Sequence, residues 1–103
     1  MIKKLWVDDE RPAPDDTWEV ALDADQARQL IAENEYEVVS LDYVLKGWDS
    51  GFDVLMFMHS ENRWPIELRS HSGGSLGRYE IISYAKEHGP EGMVIVDDPQ
   101  TLG

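Results

Sequence analysis

Apolar runs that stop abruptly on carboxylates constrain this chain more than any other feature. Leu5-Trp6-Val7 ends on Asp8-Asp9, Val38-Val39-Ser40-Leu41 on Asp42, and Met93-Val94-Ile95-Val96 on Asp97-Asp98. A fourth run, Ile66-Glu67-Leu68-Arg69-Ser70, ends on His71-Ser72. Short apolar or β-branched runs separated by segments of helical period are the pattern of buried parallel strands. In a parallel sheet the carboxyl ends of the strands share one edge, and ligands bind in the crevice outside it. The polar terminators are therefore expected to converge as one acidic site that holds a divalent metal and faces a phosphate.

Read in order, the chain gives five strands, expected at residues 2–8, 17–22, 37–42, 66–71 and 93–96. Pro12 and Pro14 make residues 10–16 a surface loop. A parallel crossover normally takes a dozen or more residues and a helix, and only about eight separate the first two strands. Either that helix is lost or the pairing is not parallel. The third strand belongs at the centre, because Val38, Val39 and Leu41 leave little polar face for water. Asp23 and Gln26 have the form of a capping box and open a helix reaching to about Asn34. Ser50 and Asp53 open a second, very apolar helix that Pro65 is expected to end. A third follows Ser72-Gly73-Gly74-Ser75, running from about Leu76 to His88 and stopping at Gly89-Pro90. The tail at 99–103 is expected to be loose.

A length of 103 residues suits one domain over 1–103. The net charge of -12 imposes self-repulsion, so cations should stabilise the fold. It also argues against binding a duplex DNA backbone, which needs Lys and Arg to displace counterions. A basic protein partner, or mimicry of DNA, stays open. Without cysteine there is no disulfide framework and no thiolate ligand or nucleophile, which is compatible with a cytoplasmic location. Met1-Ile2-Lys3-Lys4 starts like a signal peptide, but acids follow after three apolar residues and no apolar core of one is expected. No run approaches the roughly 18 apolar residues of a membrane span.

Asp8, Asp9 and Asp42 are the leading candidates for metal ligands, since three adjacent carboxylates stay ionised together only with a cation between them. Hard oxygen ligands suit Mg²⁺ or Mn²⁺. The alternative is that Asp8 and Asp9 pair with Lys3, Lys4 or Arg11, or simply solvate a loop. Ser72, Gly73, Gly74 and Ser75 open a helix directly after a strand, so free N-H groups would cradle a phosphate, and Arg78 could clamp it. The same residues could be no more than a turn. His71 could move a proton in the crevice, or hydrogen-bond a neighbouring backbone group. Trp6 is expected in the core. Trp48 lies in a loop beside the site and could stack on a base, the lesser of its two readings. Met56-Phe57-Met58 is expected to be core or the face of a homodimer.

With these residues in place the chain resembles the receiver-domain superfamily of two-component response regulators. Asp8 and Asp9 match its acidic pair after the first strand, Asp42 its phospho-accepting Asp, and Ser72 the hydroxyl residue ending the fourth strand. It is more closely similar to the divergent branch called cyclic-phosphate processing receiver domains. The similarity is carried by Val7-Asp8-Asp9-Glu10-Arg11-Pro12, Ser40-Leu41-Asp42, Gly51-Phe52-Asp53-Val54-Leu55 and His71-Ser72 with Gly77-Arg78, and spans residues 2–88. It implies an α/β, three-layer, flavodoxin-like fold, with a mainly parallel five-stranded sheet of order 2-1-3-4-5 and the first helix shortened or lost.

Two departures bear on function. The receiver lysine at the end of the fifth strand is replaced by Asp97-Asp98, with Arg78 or Lys46 as substitutes. The branch's acid shortly after the central Asp is missing from Tyr43-Val44-Leu45. The resemblance implies a metal-dependent phosphoesterase acting on cyclic phosphates of RNA or nucleotides, with Asp42 and His71 as catalytic residues. A non-catalytic acidic interaction module that binds a protein partner is the competing expectation.

Overall fold

Strands β1 (Lys4–Val7), β2 (Trp18–Ala21), β3 (Val38–Leu41), β4 (Glu67–Ser70) and β5 (Val94–Asp97) form one sheet in the order β2-β1-β3-β4-β5. Every pairing is parallel, so the carboxyl ends do share one edge. This is the computed structural model, which describes residues 3–98; the tail at 99–103 lies outside them. Strands β1, β3 and β4 end just before Asp8, Asp42 and His71, whereas β5 takes in Asp97, which pairs with Ser70. β3 is central, as its nearly all-apolar sequence requires.

Helices α1 (Ala24–Glu33), α2 (Gly51–Ser60) and α3 (Ser75–His88) connect β2 to β3, β3 to β4 and β4 to β5. These steps run the same way across the sheet, and right-handed crossovers put all three helices on one face. There α1 packs on α2 and α2 on α3. Alternation along the strands points Leu5, Val7, Val39, Leu41 and Leu68 into that layer, where they meet Ile31, Val54, Leu55, Met58 and Ile81. Each such side chain, fully buried, contributes about 1.5–3 kcal/mol.

The connection from β1 to β2 is parallel and carries no helix, so the first helix is lost and the layer it would form is lost with it. Among the described residues the opposite face of the sheet bears no helix. Its centre is closed by side chains and by the β1–β2 loop. Trp6 and Trp18 meet edge to face with ring centroids 5.6 Å apart, and the cationic ends of Lys4 and Arg69 lie over the Trp18 ring.

Local chemistry sets the helix ends. The Asp23 side chain accepts the Gln26 N-H, but the Gln26 amide oxygen reaches back to the Leu22 N-H rather than to the cap residue. Ser50 and Asp53 form a complete reciprocal capping box. Helix α2 stops at Ser60, earlier than Pro65 predicts, because Asn62 turns the chain with a φ of 53°. Asn tolerates that left-handed region better than most residues. The Met56-Phe57-Met58 run does not form one surface: Met58 is fully buried, Phe57 packs at the core margin, and Met56 faces outward. Among the described residues no helix is long and apolar enough to cross a membrane.

Candidate functional site

Asp8 leaves the end of β1 almost fully buried, and nearby donors hold both its carboxylate oxygens. Oδ1 accepts the backbone N-H groups of Glu10 (2.8 Å) and Arg11 (3.0 Å). Oδ2 lies 2.9 Å from His71 Nε2, and His71 Nδ1 lies 2.7 Å from the Ser40 hydroxyl. Burial pushes the His71 imidazole below its ordinary value, against the opposing pull of Asp8, so the ring is neutral at pH 7. An Asp8 carboxylate can only accept. Nε2 therefore carries the proton, and Nδ1 accepts from Ser40.

The expectation that His71 faces the crevice is not met. Its exposure is 0%, and its ring is stacked flat on Trp6 with centroids 3.7 Å apart and planes 8° apart. Trp6 and Ser40 are register partners on the helix-free face, and Ser40 pairs with Arg69 of β4, two residues before His71. A small residue at 40 lets the two rings meet across β3. His71 also bonds side chains rather than the neighbouring backbone group considered as its alternative. It sits behind Asp8, hydrogen-bonded to that carboxylate.

Asp8, Asp9 and Asp42 come together as the strand-end argument requires, each offering an oxygen within 4.8 Å of the others. Asp42 leaves β3 partly buried, and its Oδ1 accepts the Tyr43 N-H at 2.9 Å. Its pKa is raised from 3.8 to about 6, first by burial and then by Asp8, with a lesser push from Asp9. The Tyr43 N-H and Arg11 oppose the rise. Carboxylates crowded this closely form a hard-oxygen donor set of the kind Mg²⁺ or Mn²⁺ takes. Among the described residues no ion pair joins Lys3, Lys4 or Arg11 to Asp8 or Asp9: Lys3 pairs with Glu19, and Lys4 lies over Trp18. Arg11 binds Asp8 through its backbone N-H, not its guanidinium.

The Ser72 to Ser75 turn follows β4 on the same sheet edge. Gly74 caps α3 without a side-chain hydrogen bond, in contrast to α1 and α2. A Cβ on Gly77 would lie 2.7 Å from the Tyr43 side chain, which brings the first turn of α3 against the residue after Asp42. Gly73 and Gly74 are exposed, whereas Ser72 is buried and its carbonyl accepts from Arg78 Nη1 at 3.1 Å. The Arg78 Nε donates to Asp97 at 2.6 Å, so Arg78 is tied to the acid that stands where a receiver has its lysine. Lys46 and Trp48 are exposed on the β3–α2 loop.

Sequence reasoning missed Arg11 as a site residue, although it directly follows the acidic pair and Glu10. Its backbone is held at both ends, the N-H by Asp8 and the carbonyl by Trp6 Nε1 at 2.9 Å, while Nη1 donates to the His71 carbonyl at 3.1 Å. A separate cleft of about 670 Å³, lined in part by Tyr36, Glu37, Arg63 and Trp64, opens at the opposite edge of the sheet. It contains none of the converging acids.

Compared with models of known families, residues 3–87 match the one described as Cyclic-phosphate processing Receiver domain. No curated protein matches the chain.

Proposed function

Because the chain belongs to the cyclic-phosphate processing receiver domain family, we propose that its strand-end acids form a divalent-metal site for processing phosphoesters. Cyclic phosphates of RNA ends or nucleotides are the substrate class. The observation that carries the reading is the meeting of Asp8, Asp9 and Asp42 within 4.8 Å at one sheet edge. The raised pKa of Asp42 supports it, because a half-buried carboxyl beside two others is held at an electrostatic cost that a cation would offset.

In this reading Asp8, Asp9 and Asp42 hold Mg²⁺ or Mn²⁺, which when bound supplies Lewis-acid polarisation of a phosphoryl oxygen. His71, fixed by Ser40, holds Asp8 in its orientation. The N-H groups of the Gly73 to Ser75 turn face the phosphate. Asp42 has two available roles. As a ligand only, it leaves water to attack phosphorus while a ring P-O bond of the cyclic ester breaks. As a nucleophile, a carboxylate oxygen attacks, the same bond breaks, and water then hydrolyses the acyl phosphodiester that joins Asp42 to the opened substrate. Labelled solvent oxygen reaches the product by either path, so trapping of a covalent substrate adduct on Asp42 separates them.

The first test is thermal. Mg²⁺ or Mn²⁺ should raise Tm beyond what Na⁺ achieves at equal ionic strength, and Asp42→Asn should abolish most of that gain. Equal stabilisation by Na⁺ would leave only charge screening. The second test is conversion of an RNA oligonucleotide ending in a cyclic phosphate, in the presence of Mn²⁺, by wild type and by Asp42→Asn. A competing reading, an acidic module that binds a protein partner without catalysis, draws on the charge of -12 and on Leu76 and Tyr79, 72% and 69% exposed on α3. Under it, no metal response specific to Asp42 is expected.

A further inference from the structure

We propose that Arg11, and not Arg78, is the side chain that binds the phosphate in this site, an inference that rests on the phosphate-site reading above. The electrostatics require a cation close by. Three carboxylates outweigh the two charges of a bound dication, so an incoming phosphate meets a net negative site unless a further positive group lies beside it.

Arg78 is poorly placed to supply that charge. Its Nε is paired with Asp97 and its Nη1 donates to the Ser72 carbonyl, so its charge is already matched by a carboxylate although other N-H groups remain. Arg11 is half-buried, and among the described residues its guanidinium takes part in no ion pair. Nη2 lies where a side chain at position 73 would be, since a Cβ on Gly73 would come within 2.5 Å of it. Its guanidinium thus lies against the turn after β4, and its charge is felt at Asp42, where it opposes the rise in pKa.

Arg11 is also pre-organised. Its backbone N-H is fixed by Asp8, its carbonyl by Trp6, and its Nη1 by the His71 carbonyl. Pro12 restricts its backbone further. Little conformational freedom remains to be lost when an anion arrives, and a fork of N-H donors is suited to phosphate geometry. The absence of a side chain at Gly73 keeps the space for that fork open.

The experiment is calorimetric titration of inorganic phosphate into the Mg²⁺-loaded full chain at fixed ionic strength. Wild type should bind, and Arg11→Gln should weaken binding about 10- to 100-fold, the worth of a charge-assisted hydrogen-bonded contact. Arg78→Gln should stay within about 2-fold of wild type, well under the loss of one such contact. Because Arg11→Gln also loses the bond to the His71 carbonyl, Gly73→Ala provides a second arm: it keeps the charge but displaces Nη2, and should weaken phosphate binding as well. Circular dichroism and urea unfolding establish that each variant is folded. If wild type binds and both Arg11→Gln and Gly73→Ala bind equally well, the assignment to Arg11 is overturned and the phosphate site stands. If Arg78→Gln abolishes binding while Arg11→Gln does not, the assignment is likewise overturned, in favour of Arg78. If wild type binds no phosphate, the phosphate-site reading falls and this inference with it.

Discussion

Replacing Asp42 with Asn should make the metal-free protein more stable at neutral pH. Two unit charges 4.8 Å apart repel by about 0.9 kcal/mol in water and about 3.5 kcal/mol at an effective dielectric of 20. The rise in the Asp42 pKa from 3.8 to about 6 corresponds to about 3 kcal/mol if taken at full weight. The group is partly open to solvent, and screening reduces the figure to about 1–2 kcal/mol. A carboxyl whose folded pKa lies above its unfolded value binds protons more tightly in the native state. Its destabilising contribution is therefore absent below the unfolded value of 3.8, grows as pH climbs towards 6, and is complete above that. Asn keeps an oxygen that can accept the Tyr43 N-H, so the substitution removes charge with little loss of structure. Urea unfolding in chelator at about pH 7.5 should show Asp42→Asn more stable by about 1–2 kcal/mol, or about 4–8 °C in Tm per kcal/mol, and the gap should close by about pH 4. Using the difference between two proteins cancels the titration of the other acids. A variant no more stable than wild type at neutral pH, or a gap that does not shrink in acid, would refute the claim that burial and the neighbouring Asp8 carboxylate penalise the charge on Asp42.

Gly51→Ala should be severely destabilising, by about 3 kcal/mol or more, because the added Cβ overlaps the backbone carbonyl oxygen of Asp42 and neither can move cheaply. Gly74→Ala, with nothing within 4 Å of the new methyl, should stay within about 0.5 kcal/mol; similar denaturation midpoints for the two would contradict the close approach of α2 to the site. His71→Ala should cost about 2–4 kcal/mol, since it strands Ser40 and Asp8 and removes the ring under Trp6. Tyr79→Ala, at a position 69% exposed, should cost less than about 0.5 kcal/mol, and equal losses would show that the His71 network contributes nothing. Ser50→Ala should lower stability by about 1 kcal/mol through loss of the α2 cap, a loss that Ser50→Asp should largely restore.

What could be read from the sequence was local or periodic. The caps at Asp23 and Ser50 depend on residues two or three positions apart, and both side chains make the bonds their spacing suggests. The convergence of Asp8, Asp9 and Asp42 needed only strand ends and parallel pairing, which the apolar runs supply. What could not be read depended on residues brought together by register. Arg78 meets Asp97 because β4 pairs with β5 so that Ser70 faces Asp97, a relation that no spacing along the chain announces. His71 stands at a strand end like the acids, yet it is turned to the helix-free face and covered. One sign was available: alternation places it with Trp6, Ser40 and Arg69 rather than with Leu68.

The missing helix and the acidic site have a common cause. With too few residues between β1 and β2 for a helix, something else must close the centre of that face over β1, β3 and β4. The chain does so with the Trp6–His71 stack and with a tight return of residues 8–11, in which Asp8 accepts two backbone N-H groups and Arg11 turns back to Trp6 and His71. The contacts that seal this face are the same ones that bury and orient Asp8. A helix there would have covered the sheet without tying the first acid to β4. The short crossover thus makes the position of the Asp8 carboxylate a consequence of core packing, and disturbance of Trp6 should reach the acidic cluster before it reaches the helical layer.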